Sequence, residues 1–252
     1  MEEARALVPW ESMRLLSSLR IGQVAVIAHP HPLFGGTMDN KVVHTLARAC
    51  VKVGLRAVRF NFRGVGRSQG SFDHGTGELS DAASALDWAQ ALNPDARACW
   101  IAGVSFGAWI GMQLLMRRPE VEGFISIAPP ANLYDFSFLA PCPSSGLFVH
   151  GSEDRVAPVK EVMAVIEKVK TQKGIQIEHT VVEGANHFFD GKVDELTQTV
   201  DTYLDKRLAE QQTLALAPRQ RAEPAPGERM PVDQVERIAD RRALSRMGGL
   251  EQ

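Results

Sequence analysis

A chain of 252 residues with 44% hydrophobic and 23% charged residues can bury one substantial core, and α/β folds of this length are commonly a single domain. Its formal net charge of −2 gives no electrostatic basis for binding nucleic acid or an anionic membrane, and no apolar run approaches the roughly 20 residues that span a bilayer. Cys50, Cys99 and Cys142 are odd in number, widely spaced and outside any CxxC pair, which points to reduced residues in a cytoplasmic protein rather than a disulfide frame or a zinc site.

Residues 1–22, "MEEARALVPWESMRLLSSLRIG", carry two early acids and no apolar stretch of signal-peptide type. They are expected to form an N-terminal segment that is partly helical, ahead of a main domain over 23–211. The first apolar run, "VAVIAH" (24–29), predicts a strand. It leads into "HPHPLFGGTMDN", a loop that turns on two prolines and two glycines. Prolines lack an N–H, so the free donors of this loop come from the residues between and after them. The H-x-H of His29 and His31 has no acid-rich partner cluster at zinc-ligand spacing, so both histidines are read as turn-holding and no metal is expected.

A helical stretch over 39–53 precedes the strand run "LRAVRFNF" (55–62). The turn "NFRGVGRSQG" follows, with Arg63, Gly64, Gly66 and Ser68 read as structural. A second helix is predicted over 77–92, then the strand "CWIAGVS" (99–105) and a helix over 106–117. At their junction "GVSFG" places Ser105 between Gly103 and Gly107. A strand-to-helix elbow presents its central residue at the carboxyl end of a sheet, and only small residues two before and two after let strand and helix cross so closely. The helix N-terminus there favours developing negative charge. Ser105 is therefore a candidate nucleophile.

Next come "GFISIAP" (123–129), a short loop "ANLYDFSFLA", and the strand "GLFVHG" (146–151). A serine hydroxyl needs a base to take its proton, and the base needs an acid to hold its tautomer. The loop "HGSEDRVAP" offers Glu153 and Asp154. Asp154 is chosen, with Val156 and Pro158 able to fix the loop and start a helix over 158–172; Glu153 is a solvated neighbour and Asp135 a reserve candidate. "IQIEHTVVEG" (175–184) alternates and suits an edge strand. His187 follows in "GANHFFDG", where a loop can point back at the elbow, before a helix over 192–210. His44, His74 and His179 lie in a helix, a long loop and a strand and are read as surface residues. Strand and helix in turn predict a mostly parallel sheet covered on both faces. Residues 212–252 read as a Pro- and Arg-rich flexible tail, with apolar spacing over 232–247 compatible with a short helix.

These strings in this order, "AHPHPLFGGTMDN", "NFRGVGRSQG", "GVSFG", "HGSEDRVAP" and "GANHFF", are each a weak to moderate signal but specific together. From about Val24 to Leu208 the chain resembles serine α/β-hydrolases, in a small lidless group related to dienelactone hydrolases. The order Ser105, Asp154, His187 is that of the α/β-hydrolase fold. The resemblance implies a Ser-His-Asp triad, a nucleophile elbow and an oxyanion hole made by the amides of Phe106 and of Leu33 or His31, with Leu33 favoured because "HPLFGG" lines up with an HGxxxG-like turn. It implies esterase activity on short-chain acyl substrates without a cofactor, with Phe34, Tyr134 and Phe136 (and more loosely Leu133 and Phe138) as apolar substrate contacts. A peptidase or amidase of the same fold is the alternative, and a non-catalytic scaffold a weaker one. The implied partner is a small-molecule ester, with no nucleic acid, no membrane and room for a homodimer. Two departures stand out: dienelactone hydrolases use a cysteine where Ser105 stands, and residues 1–22 look too short for the antiparallel hairpin with which the family usually opens.

Overall fold

The six apolar runs become six parallel strands in a computed structural model that describes residues 13–16 and 22–216. They are β2 (Gln23–Ala28), β3 (Arg56–Phe60), β4 (Ala98–Val104), β5 (Val121–Ile127), β6 (Ser145–Gly151) and β7 (Ile177–Val182). Apart from β7 they are buried almost throughout, as parallel strands covered on both faces must be. β7, partly exposed along most of its length, is the edge strand that its sequence pattern predicts.

The helices are α1 (Lys41–Lys52), α2 (Thr76–Ala91), α3 (Phe106–Leu115), α4 (Val159–Lys170) and α5 (Val193–Leu216). Val42, Val43 and Leu46 of α1 and Leu196, Val200, Tyr203 and Leu204 of α5 pack on one face of the sheet. Ala82 and Leu86 of α2, Ile110 and Leu114 of α3, and Val162 and Ile166 of α4 pack on the other. This is the expected α/β-hydrolase architecture, without a helical layer inserted between β5 and β6: that link contains only turns and a single 3-10 turn at Ser137–Leu139. Among the described residues no helix is long and apolar enough to cross a membrane. α5 runs six residues beyond the predicted end at 210. The spacing over 232–247, and the rest of 217–252, lie outside the described residues.

Within residues 1–22, Met13–Leu16 forms β1 (Met13–Leu16), antiparallel to β3, with Met13 opposite Phe60 and Leu16 opposite Ala57, a strand that the sequence pattern did not predict; the helical part expected of this segment lies outside the described residues. Four residues are too few for a period to show. What makes them a strand is the row of unpaired backbone groups on the outer edge of β3, which only a distant segment can satisfy.

The sheet order is β1-β3-β2-β4-β5-β6-β7. The chain winds outward in one direction from β2 through β3, then returns to build β4 to β7 on the other side. In open parallel sheets the crevice at such a reversal lies beyond the carboxyl ends of the strands. The loop after β2 and the elbow after β4 therefore meet at one end of two adjacent strands.

Candidate active site

Ser105 sits between β4 and α3 with φ 54° and ψ −119°. A non-glycine residue held at positive φ is strained by roughly 1–3 kcal/mol and persists only where the surroundings fix it. Here the Ser105 amide donates to the Ile127 carbonyl (2.8 Å), and its own carbonyl accepts from Ala108 N–H (2.9 Å). A Cβ on Gly103 would run into the Gly107 carbonyl, and one on Gly107 would meet the Ala28 and His29 carbonyls. Both glycines are thus demanded by backbone crossing at the elbow, as the motif implies.

His187 Nε2 lies 2.9 Å from Ser105 Oγ, and His187 Nδ1 lies 2.7 Å from Asp154 Oδ2. Ser105, Asp154 and His187 are all buried, each less than one-tenth exposed. The other carboxylate oxygen of Asp154 accepts the amides of Val156 (2.8 Å) and Ala157 (2.7 Å). The carboxylate is therefore an acceptor on both oxygens. His187 must donate its Nδ1 proton to it, leaving Nε2 free to accept from the serine hydroxyl. Glu153, one residue earlier, is exposed. Asp135 turns its carboxylate back on the Ser137 amide and hydroxyl.

The His187 loop is anchored by a residue that the sequence did not distinguish. Phe189 is fully buried in the core at φ 53°, while Asn186 Oδ1 accepts the amides of Phe188 (3.0 Å) and Asp190 (3.1 Å). Glu153 N–H donates to the Ala185 carbonyl (3.0 Å), tying the acid loop to the histidine loop.

In the loop after β2, both nitrogens of the buried His29 ring are engaged. Nδ1 donates to the Pro30 carbonyl (2.6 Å) and Nε2 accepts the Phe62 amide (3.1 Å). Burial holds its pKa down at about 4, against the bond to Pro30, which raises it. A neutral ring with both nitrogens committed holds the turn and has no lone pair left for a metal. The turn "NFRGVGRSQG" is structural as read: Arg63 forks onto Asp81 (2.9 and 3.1 Å) and Ser68 Oγ donates to the Asn61 carbonyl (2.9 Å). Asn61 Oδ1 in turn accepts the Met38 amide (2.8 Å), joining this turn to the loop after β2.

Phe106 is the first residue of α3, where an amide has no preceding turn to bond to. Leu33, the favoured second oxyanion donor, is corrected: its amide donates to His31 Nδ1 (3.2 Å) as the cap of the 3-10 turn Pro32–Phe34, and its side chain is exposed. His31, the alternative, lines the cavity beside Ser105, and among the described residues no acceptor takes its amide. Its ring packs against Phe34, Phe72 and Phe106 at 4.7–4.9 Å between centroids, and burial lowers its pKa.

That cavity has a volume of about 440 Å³, within the usual range of small-molecule sites, about 300–1,000 Å³. Phe34 and Tyr134 line it as expected, together with Leu133, Val156 and Phe188. Phe136 does not. It is buried in the core against Phe138 (centroids 6.1 Å apart) and borders a different cavity, because the 3-10 turn that follows it directs the ring inward.

A family model for X-Pro dipeptidyl-peptidase (S15 family) matches residues 20–141. An α/β hydrolase of unknown function from Agrobacterium tumefaciens is 62% identical, with 79% of this chain and 91% of that one covered and a TM-score of 0.77. An α/β serine hydrolase homologue from Coxiella burnetii is 38% identical (76% and 90% covered, TM-score 0.68). A serine hydrolase without a lid from Xanthomonas campestris is 33% identical (77% and 88% covered, TM-score 0.70). With its elbow serine, its hydrogen-bonded histidine and acid, and among the described residues no helical layer inserted between β5 and β6, the chain belongs to the lidless α/β serine hydrolases.

Proposed function

We propose that this protein hydrolyses carboxylic esters with short, uncharged acyl groups through an acyl-enzyme on Ser105. The observation that carries the reading is the chain Asp154–His187–Ser105, ending at the floor of a cavity lined by apolar residues. Ser105 Oγ attacks the ester carbonyl carbon while His187 Nε2 takes its proton, and Asp154 stabilises the imidazolium that forms. The oxyanion is met by the Phe106 amide at the start of α3 and by the His31 amide, which no acceptor takes among the described residues. His187 then gives its proton to the departing alkoxide. Water, activated by the same nitrogen, attacks the acyl-enzyme and releases the acid.

A second reading has one observation in its favour, the family model of a peptidase over residues 20–141. An enzyme that removes dipeptides from a free amino end must hold a substrate ammonium, and a carboxylate is the group suited to that. The residues lining the cavity are Pro30, His31, Phe34, Ser105, Phe106, Pro130, Leu133, Tyr134, Val156, His187 and Phe188, with no carboxylate among them. This favours a neutral ester. Turnover of a short p-nitrophenyl ester against an X-Pro p-nitroanilide tests the choice: the ester alone should be cleaved at an appreciable rate, and preferential cleavage of the anilide would overturn it.

A further inference from the structure

Among the described residues, Tyr134 alone lines both the Ser105 cavity and a second cavity of about 220 Å³. The second cavity is bordered by Ala131, Phe136, Leu139, Val165 and Val169, with Glu161 and Lys168 of α4 among its polar groups. Half-buried Tyr134 is therefore the residue that the two cavities share.

Tyr134 is fixed from several directions. Its ring stacks on Trp109 with centroids 4.4 Å apart and planes 25° apart, and meets Phe106 edge-on at 5.7 Å. Trp109 is itself held, its indole N–H donating to the Asp135 carbonyl (3.0 Å). Beneath the ring, the amides of Leu133 and Tyr134 both donate to the Pro130 carbonyl (3.0 and 3.1 Å), and Asn132 Nδ2 donates to the Val156 carbonyl (3.0 Å). None of these backbone and Asn132 bonds depends on the Tyr134 side chain, so the loop stays held when the ring is deleted.

We propose that Tyr134 is a specificity-determining residue: its ring, braced by Trp109, sets the upper size of the apolar substrate group that enters beside Ser105, and the cavity beyond it is a dormant extension of the pocket. The inference rests on Ser105 being the reacting atom. A group too long for the first cavity must either turn out through the open mouth or displace a stacked ring. Each methylene left without a wall forfeits about tenfold or more in discrimination. With the ring gone, the apolar part of the second cavity's mixed lining, Leu139, Val165 and Val169, offers the missing wall.

The test is a chain-length profile for wild type, Tyr134→Ala, Tyr134→Phe and Trp109→Leu. kcat/KM is measured on p-nitrophenyl esters from acetate to dodecanoate, and on acetates of alcohols of matching lengths. In one of the two series Tyr134→Ala should raise the ratio of long to short substrate by at least about tenfold. Trp109→Leu, which unbraces the ring, should shift the ratio in the same direction by less. Tyr134→Phe, which keeps the ring, should retain the wild-type ratio. The rate of Ser105 labelling by fluorophosphonates with short and long alkyl chains reads the same wall without ester turnover. If wild type labels but turns over no ester, the ester reading fails while the wall is still measured. If Tyr134→Ala leaves the ratios unchanged in both ester series and in labelling, or if Tyr134→Phe shifts them as far, the proposal is overturned. Should Tyr134→Ala melt early, Tyr134→Leu takes its place in each measurement.

Discussion

Replacing Asp154 by asparagine changes one atom and no shape, yet the hydrogen bonds around it force a large kinetic loss. Asp154 Oδ1 accepts two amides, from Val156 and Ala157, at 2.8 and 2.7 Å. An amide side chain satisfies them only by placing its oxygen there, since an NH₂ group cannot accept. The NH₂ then occupies the Oδ2 position, 2.7 Å from His187 Nδ1, and Nδ1 must become an acceptor. The ring proton moves to Nε2, which faces Ser105 Oγ at 2.9 Å and can no longer take the hydroxyl proton. A wrong tautomer of this kind costs about 10⁴-fold in kcat, or about 5 kcal/mol of barrier. Stability should change little, because each buried hydrogen bond is replaced by another. Steady-state turnover of a short p-nitrophenyl ester, with a thermal melt as control, reads both quantities, and Glu153→Gln serves as the exposed comparator. If Asp154→Asn loses less than Glu153→Gln, or keeps kcat to within about tenfold, the orienting role is refuted.

Gly107→Ala places a Cβ 2.5 Å from the His29 carbonyl and should destabilise the fold by about 1–3 kcal/mol, measurable by urea unfolding; a neutral substitution would contradict the crowded elbow. Acid should weaken the fold partly through His29. The folded state holds that pKa at about 4 against 6.5, so the unfolded chain binds the proton more readily. The stabilisation is complete above pH about 6.5 and is lost as the pH falls toward about 4, up to about 3 kcal/mol. His29→Gln should flatten the fall in unfolding free energy between about pH 7 and 5, and an unchanged slope would refute this. Finally, Leu208 is the last buried residue of α5 among those described, so a chain ending at Leu216 should keep its melting temperature and its ester kinetics; a large drop in either would show that 217–252 contribute to the domain.

The parts of the site that follow local rules were legible from residue types alone. Gly103 and Gly107 announce an elbow around Ser105 because backbone crossing leaves no room for a Cβ at either, and Asp154 and His187 stand in the loops that follow β6 and β7. The misses are non-local. Whether Leu33 or His31 offers its amide turns on a side-chain cap inside the loop, and spacing carries no trace of it. Phe136 and Tyr134 lie two apart in a loop without a period, and one 3-10 turn sends Phe136 into the core while Tyr134 faces the cavity. In "HFFD" the two phenylalanines look alike, yet Phe188 lines the cavity and Phe189 anchors the loop. β1 is defined by a partner more than forty residues away.

The central claim, that Ser105 is a nucleophile activated by His187, is tested most directly by reacting the full chain with a fluorophosphonate probe and mapping the adduct by mass spectrometry. The geometry predicts one adduct, on Ser105, that is absent in Ser105→Ala and formed far more slowly in His187→Gln. A protein that is folded yet carries no adduct on Ser105, or labels as fast without His187, would contradict the account.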